Sequence, residues 1–352
     1  MSFRVKIALI VMAVCLLSSA CVWLALHWYR FEVRNVSTRS GSSELLFIER
    51  ELSLDELLCR LDSAYDISSL PMMRTHARLM KIKSVRPGCF KVPNVISDHE
   101  LLTKLRANWQ EPVHLNLRYA KTLNILAGKM APQLLCDSAE LATVMNDSAK
   151  YSQWGFDKCT AIAMYLPDTY EVLWTISAEE LMERMHKEYI TFWNTQRLEA
   201  AQRQGMTPIE IATLASIVNS ETNNVAEMPK IAGLYYNRLR KGILLQSDPT
   251  VIFALRFADG NDKGAIRRVL NEHLKVESPY NTYKYKGLPP GPICMPQKAA
   301  INAALYPEEH KYIFMCAKET FDGTHNFAAT LSEHAANARR YHKALNERGI
   351  KK

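Results

Sequence analysis

The sequence predicts an α+β protein with an N-terminal transmembrane helix, a small α/β subdomain and a larger α+β domain, and three observations lead there. Residues 7–26 form an uncharged run of twenty. Behind it, capping signals open apolar stripes at helical spacing. Short apolar segments at 44–49, 89–92 and 313–316 read as strands between them, which makes the class mixed rather than all-helical.

The first element follows Arg4 and Lys6. Twenty helical residues extend about 30 Å, enough for a bilayer's hydrocarbon core. A cleaved signal peptide has a shorter apolar core and a small-residue exit. This run instead continues past Ser18-Ser19-Ala20 through Trp23 to Trp28 and Tyr29, so residues 1–30 are expected to be a short tail and an uncleaved anchor. Ser18-Ser19-Ala20-Cys21 leaves a lipid on Cys21 as the alternative. Basic residues flank both ends, with Arg30 and Arg34 following, so charge alone does not orient the span.

Next, 44–49 reads as a strand, 54–61 and 69–80 as short helices, and 89–92 as a strand. A helix over 97–108 and a strand over 113–118 are expected to extend the same sheet, so residues 31–118 form one small unit. The roughly 320 residues after the span suffice for this unit and a larger one.

In the larger unit, Ser177-x-x-Glu180 opens a helix expected to run unbroken to Gln204, with Gly205 beyond its end. A second capping box, Thr207 with Glu210, opens a helix over 207–222 with Pro208 in its first turn. Leu214, Ile217 and Val218 form its stripe, and Glu221 lies four residues beyond Ile217 on the same face. A carboxyl held against hydrocarbon is disfavoured in its charged form, so its pKa rises toward the range where it donates a proton near neutral pH. Glu221 is therefore the candidate catalytic residue. Residues 229–241 form another helix, with Ile231, Leu234, Tyr235 and Leu239 on one face; Asn237 and Arg238 read as surface or capping groups outside the site. The last helix covers 332–348.

Between these helices lie Gln246-Ser247-Asp248-Pro249-Thr250-Val251, Ser278-Pro279-Tyr280-Asn281-Thr282-Tyr283 and Gly287-Leu288-Pro289-Pro290-Gly291-Pro292. Proline and glycine rigidify loops of this kind, and short strands are expected among them. Amides and aromatic rings on rigid loops suit a carbohydrate, with its hydroxyls and C–H faces. Gln246, Asp248, Tyr280, Asn281 and Tyr283 are the candidate substrate-binding residues. Asp248 before proline reads as a turn former, and it is also the rival second carboxylate. At about 5 Å from Glu221 it would suit a retaining hydrolase, at roughly 6.5–9.5 Å an inverting one.

The net charge of +8 is spread along the chain, and no nucleic-acid motif accompanies it, so no nucleic-acid partner is expected. Eight cysteines show no paired spacing, and ten histidines form no zinc-ligand pattern. Neither a Gly-x-Ser-x-Gly elbow nor a phosphate-binding glycine loop occurs, so no metal or cofactor is expected.

The order of motifs resembles the membrane-anchored endolytic murein transglycosylases, the MltG or YceG-like family. The likeness rests on Leu166-Pro167-Asp168-Thr169-Tyr170, residues 214–222, Asn237-Arg238-Leu239, residues 245–251, Tyr280-Asn281-Thr282-Tyr283, residues 287–293, and His325-Asn326-Phe327 with Glu333-His334. One departure stands out. The family commonly carries Glu-x-Glu-Thr where this chain has Asn219-Ser220-Glu221-Thr222, so only Glu221 can serve as the motif's acid.

The resemblance implies cleavage of the bond between N-acetylmuramic acid and N-acetylglucosamine in peptidoglycan glycan strands, ending in a 1,6-anhydromuramic product. Glu221 would act as the acid and then the base, no water being consumed. It also implies that residues 31–118 are a LysM-like, membrane-proximal subdomain, a likeness the strand-helix-helix-strand order shares, and that residues 119–352 are the catalytic domain. A single-pass anchor in the cell (inner) membrane, with the C-terminal domain on the extracytoplasmic, periplasmic side, and peptidoglycan synthases as protein partners are further implications. The alternative reading is a non-catalytic, membrane-tethered peptidoglycan-binding protein.

Overall fold

A computed structural model describes the chain except for residues 1–2, 33, 259–261, 263, 267–268 and 349–352. Two units emerge, one of Met1–Val113 with Glu171–Thr175 and one of His114–Tyr170 with Ile176–Lys352. The architecture is α+β, with many helices and small antiparallel sheets.

The smaller unit begins with α1 (Phe3–Glu32), a 30-residue helix. Its apolar side chains point outward, Leu16 being 64 % and Leu17 66 % exposed. Among the described residues no helix is long and apolar enough to cross a membrane. Of the expected 7–26 span, the side chains at 7–9, 24 and 26 lie outside those described.

After α1 come β1 (Val36–Thr38), β2 (Glu44–Ile48), β3 (Leu52–Ser53), α2 (Leu54–Ala64), β4 (Tyr65–Ile67), α3 (Leu70–Leu79), β5 (Ser84–Val85), β6 (Gly88–Val92), β7 (Val95–Ile96) and α4 (Asp98–Ala107). β2 and β6 pair antiparallel from Glu44 opposite Val92 to Ile48 opposite Gly88, and β1 lies between β4 and β7. Ser53 and Glu56 close a capping box on α2, which turns Leu57, Leu58 and Leu61 into a fully buried stripe. These meet Phe90, Val92, Leu101 and Leu102 in one apolar core.

β8 (Val113–Asn116) and β9 (Thr169–Val172) each have residues in both units, and the larger unit contains α5 (Leu123–Met130), α6 (Ser138–Met145), α7 (Ser148–Ser152), α8 (Ala178–Phe192), α9 (Thr195–Arg203), α10 (Pro208–Glu221), α11 (Met228–Arg240), α12 (Asp248–Arg256), α13 (Lys298–Leu305), β10 (Phe314–Ala317), β11 (His325–Ala328) and α14 (Leu331–Glu347). The strand expected over 113–118 pairs with β9 instead of extending the smaller unit's sheets. Gln133 explains why β8 gains no further strand: its amide meets both the N–H (2.8 Å) and the C=O (3.1 Å) of Asn116.

Two other expectations need correction. The helix over 177–204 is broken after Phe192, where Trp193 leaves helical geometry at ψ 60°. Asn194 then starts a new helix by accepting the Arg197 N–H at 3.1 Å. An asparagine competes for backbone groups inside a helix and is favoured at its start. The proline-rich loops hold no strands among the described residues; the first becomes α12, with Pro249 in its opening turn. In the second, side chains take the place of a ladder: Asn281 Nδ2 donates to the carbonyls of Leu274 and Val276 at 2.9 Å each, and its Oδ1 accepts the Tyr283 N–H. In the third, a Cβ on Gly291 would lie 2.2 Å from the Cys159 carbonyl oxygen, so this close approach admits only glycine.

Candidate active site

The site is built around the end of α10. Its capping box is complete, the Glu210 N–H donating to Thr207 Oγ1 (3.2 Å) and the Thr207 N–H to Glu210 Oε2 (2.8 Å). Every residue from Ile211 to Asn219 is buried, with α11 and α13 packed against the helix. A helix apolar on all sides must lie in the interior. It ends at Glu221, since Thr222 turns extended at φ −146°, and the acid emerges from the core into a cavity.

That cavity, of ≈ 380 Å³, is lined by Glu221, by Tyr235 and Arg238 from α11, by Gln246 and Asp248, by Tyr283, and by β10 with His325 of β11 and His334 of α14. Tyr235 Oη and Ser247 Oγ both donate to Glu221 Oε1, at 2.7 and 2.5 Å. Burial pushes the pKa of Glu221 up, and the Asp248 charge adds to the rise; the two hydroxyl bonds and His325 oppose it without cancelling it. The group is thus an acid whose proton is held above the ordinary carboxylate range.

Its surroundings are fixed in turn. Arg238 is buried and donates to the carbonyls of Leu244 and Ile313 and to Gln246 Oε1. Gln246 sits in the left-handed region at φ 53°, which costs a non-glycine residue on the order of 1 kcal/mol. The Gln246 N–H bond to the Thr282 carbonyl (3.1 Å) and the Ser247 N–H bond to Thr282 Oγ1 (3.0 Å) hold the turn there. Strain kept in place this way aims Ser247 at the acid. Tyr283 Oη donates to Asp248 Oδ1 at 2.6 Å, and both burial and the Asp248 carboxylate raise the phenol's pKa. On β11, Glu227 grips His325 twice, by the ring Nδ1 at 2.9 Å and the backbone N–H at 2.8 Å. The imidazole is therefore oriented with Nδ1 committed to a carboxylate.

The expected site residues separate into two groups. Glu221, Gln246, Asp248 and Tyr283 share the cavity wall. Tyr280 and Asn281 do not line it: Tyr280 packs its ring 4.7 Å from Phe253, and Asn281, fully buried, pins its own loop. Arg238, read from sequence as a surface or capping group, is buried in the wall, Tyr235 and His325 join it, and the buried Ser247 reaches Glu221 through its hydroxyl. A signal was present for Arg238 and Tyr235: three residues apart, they share a helix face. Ser247 and His325 lie inside motifs that carry the resemblance, and their approach to Glu221 comes from tertiary folding. Asn219 is buried and accepts the Gln297 N–H at 3.0 Å through Oδ1. All eight cysteines are free thiols. Among the described residues no cluster of His, Cys, Asp and Glu could hold a metal ion.

The chain is similar to known proteins. The endolytic murein transglycosylase of Bacillus subtilis strain 168 is 33 % identical over 205 residues, which are 58 % of this chain and 52 % of that protein. That of Streptococcus pneumoniae serotype 2 strain D39 is 25 % identical over 293 residues, 74 % of this chain and 52 % of its own. The chain thus spans about half the length of the curated relatives it matches. A crystal structure of a YceG-like protein from Listeria monocytogenes has the same fold, with TM-score 0.56 and 24 % identity, covering 84 % of this chain and 98 % of that one. The profile of the YceG-like family matches residues 46–340, and the chain belongs to that family.

Proposed function

We propose that this chain is an endolytic murein transglycosylase that cuts the N-acetylmuramic acid to N-acetylglucosamine bond of peptidoglycan and leaves a 1,6-anhydromuramic end. The observation that carries the reading is Glu221, a carboxyl of raised pKa at the wall of a cavity and hydrogen-bonded by Tyr235 and Ser247. Protonated Glu221 donates to the leaving glycosidic oxygen. As the bond breaks, the muramyl C6 hydroxyl attacks C1 and passes its proton to the Glu221 carboxylate, which restores the acid. Tyr235 and Ser247 stabilise that carboxylate in mid-cycle, because their bonds favour the charged form. Both relatives named above carry the same activity in their names.

Gln246, Asp248 and Tyr283, with Arg238 and His325, are the proposed substrate contacts. Asp248 is already engaged by Tyr283 Oη, which suits a role in orienting sugar hydroxyls better than one as a nucleophile. The smaller unit is proposed to bind glycan as a LysM-like module, on the strength of its β2, α2, α3, β6 order. The exposed apolar side chains of α1 support a single-pass anchor in the cell membrane, with the larger unit on the extracytoplasmic side. Cleavage at that position would act on strands leaving a peptidoglycan synthase.

The test is mass spectrometry of nascent peptidoglycan after incubation with wild type or Glu221→Gln. Anhydromuramyl ends from wild type alone are expected. Reducing ends in their place would mean hydrolysis, with Asp248 as second carboxylate. No cutting with retained glycan binding would leave the non-catalytic binder, the reading that Asn219 in place of glutamate favours.

A further inference from the structure

Beyond the main cavity, Glu221 also borders a second hollow of ≈ 350 Å³, with Asn219, Ser220 and Asn223 on its wall. Those three residues border a third hollow as well, of ≈ 430 Å³, completed by Tyr119, Lys121, Pro249, Ile252 and Gln297. The three hollows follow one another through shared residues, as a site for a polymer requires. Their charge changes along the way. The first has Glu221 and Asp248 beside Arg238 on its wall and the second has Glu221 and Asp322, whereas the third is bordered by one cation, Lys121, and by no acid.

Lys121 is a cation partly withdrawn from water. Among the described residues it makes no ion pair, its ammonium lies 5.3 Å from the Phe257 ring centre, and the neighbouring Asp262 is held by Arg256 at 2.7 and 2.8 Å. Burial lowers its pKa, and the nearby Asp262 carboxylate offsets this only in part, as expected for a cation withdrawn from water. Asn219 points the same way. Its Oδ1 is committed to the Gln297 N–H, which leaves the amide's N–H groups as what it can offer a ligand. A glutamate at 219 would put a negative charge on this wall.

We propose that the hollow between Lys121 and Asn219 is an anion-accepting subsite that takes a carboxylate carried by the glycan strand as it lies across Glu221. The inference rests on the transglycosylase reading and narrows its substrate. The carboxylate comes either from the free lactyl group of a muramyl residue stripped of peptide or from the peptide of an unstripped one. Both are acceptor-only anions that a lysine ammonium and an amide N–H complement, at the strength of charge-assisted hydrogen bonds.

The experiment uses the full chain and four substrates: peptide-bearing strands and amidase-stripped strands, each before and after carbodiimide amidation of its carboxylates. Wild type is expected to form anhydromuramyl ends with kcat/KM about tenfold higher on carboxylate strands than on their amidated forms, for one loaded charge-assisted contact. The strand type that shows the difference identifies the source. Lys121→Met and Asn219→Glu are each expected to erase the difference, and Lys121→Arg to keep it. Wild type indifferent to amidation, or a preference that survives Lys121→Met in a chain with unchanged circular dichroism, overturns the subsite. If no strand is cut, the transglycosylase reading fails. The subsite is then read from equilibrium binding of the same four strands, where equal affinities overturn it and a tenfold preference lost in Lys121→Met upholds it.

Discussion

Glu221 combines two opposed environments. Burial withholds solvent from its charge, while Tyr235, Ser247 and His325 favour that charge. Replacing it with glutamine keeps the shape and removes the transferable proton, so turnover is expected to fall about 10²–10⁴-fold in an anhydromuramyl-release assay. Ser247→Ala makes a subtler case. Loss of its 2.5 Å bond removes a stabiliser of the carboxylate, so the Glu221 pKa rises further. On the proposed mechanism the working form is the protonated acid, and activity is expected to fall as pH passes above its pKa. The alkaline limb of the kcat/KM profile should therefore move to higher pH in Ser247→Ala, and a limb moving to lower pH would contradict the assignment. Stability follows the same sign. A carboxyl whose pKa is raised on folding contributes stability below its unfolded pKa, and that contribution is lost as pH rises through the folded value. Glu221→Gln should then melt higher than wild type at pH 8, with the gap closing toward pH 4; a gap that widens on acidification would refute the raised pKa.

At the scale of elements, α10 is what holds the acid in place. Its start depends on Thr207 and Glu210, and Thr207→Ala is expected to cost about 1 kcal/mol, read as a lower denaturant midpoint with an unchanged slope. Gly291→Ala should cost more. The added carbon would fall 2.2 Å from the Cys159 carbonyl, and overpacking of that kind costs about 1–3 kcal/mol. Capping boxes made the starts of α8 and α10 readable from local sequence, because the backbone groups they satisfy lie within a few residues. The acid at the end of α10 was readable for the same reason. The break at Trp193 was not, since a buried indole and an asparagine cap outweighed a helical period that ran on through them. Tyr280 and Asn281 show a different limit. Their residue types suit a sugar, yet the folded chain spends them on holding loops, and only three-dimensional placement separates them from Gln246 and Tyr283. Arg238 is the converse: its position on α11 was legible, while its burial depended on β10 and the 245–250 turn closing over it.

At the scale of the molecule, two physical forces could bring this protein to a membrane, and they differ in their response to salt. The net charge of +8 attracts anionic head groups, an interaction screened within about 3 Å at 1 M salt. The exposed apolar side chains of α1 respond instead to the removal of hydrocarbon from water, worth roughly 25 cal/mol per Å² and not weakened by salt. Flotation with vesicles of uncharged phosphatidylcholine at 1 M salt isolates the second force. The full chain is expected to float under those conditions, and a chain beginning at Arg34 to remain at the bottom of the gradient. Flotation of the full chain only with anionic vesicles, and only at low salt, would assign membrane attachment to surface charge and remove α1 as the anchor. Should the full chain float at high salt, cleavage of vesicle-bound substrate becomes the sharper assay. A tethered enzyme meets strands attached to the same surface at high effective concentration, so the full chain should outpace the shortened one on lipid-linked strands while matching it on soluble ones.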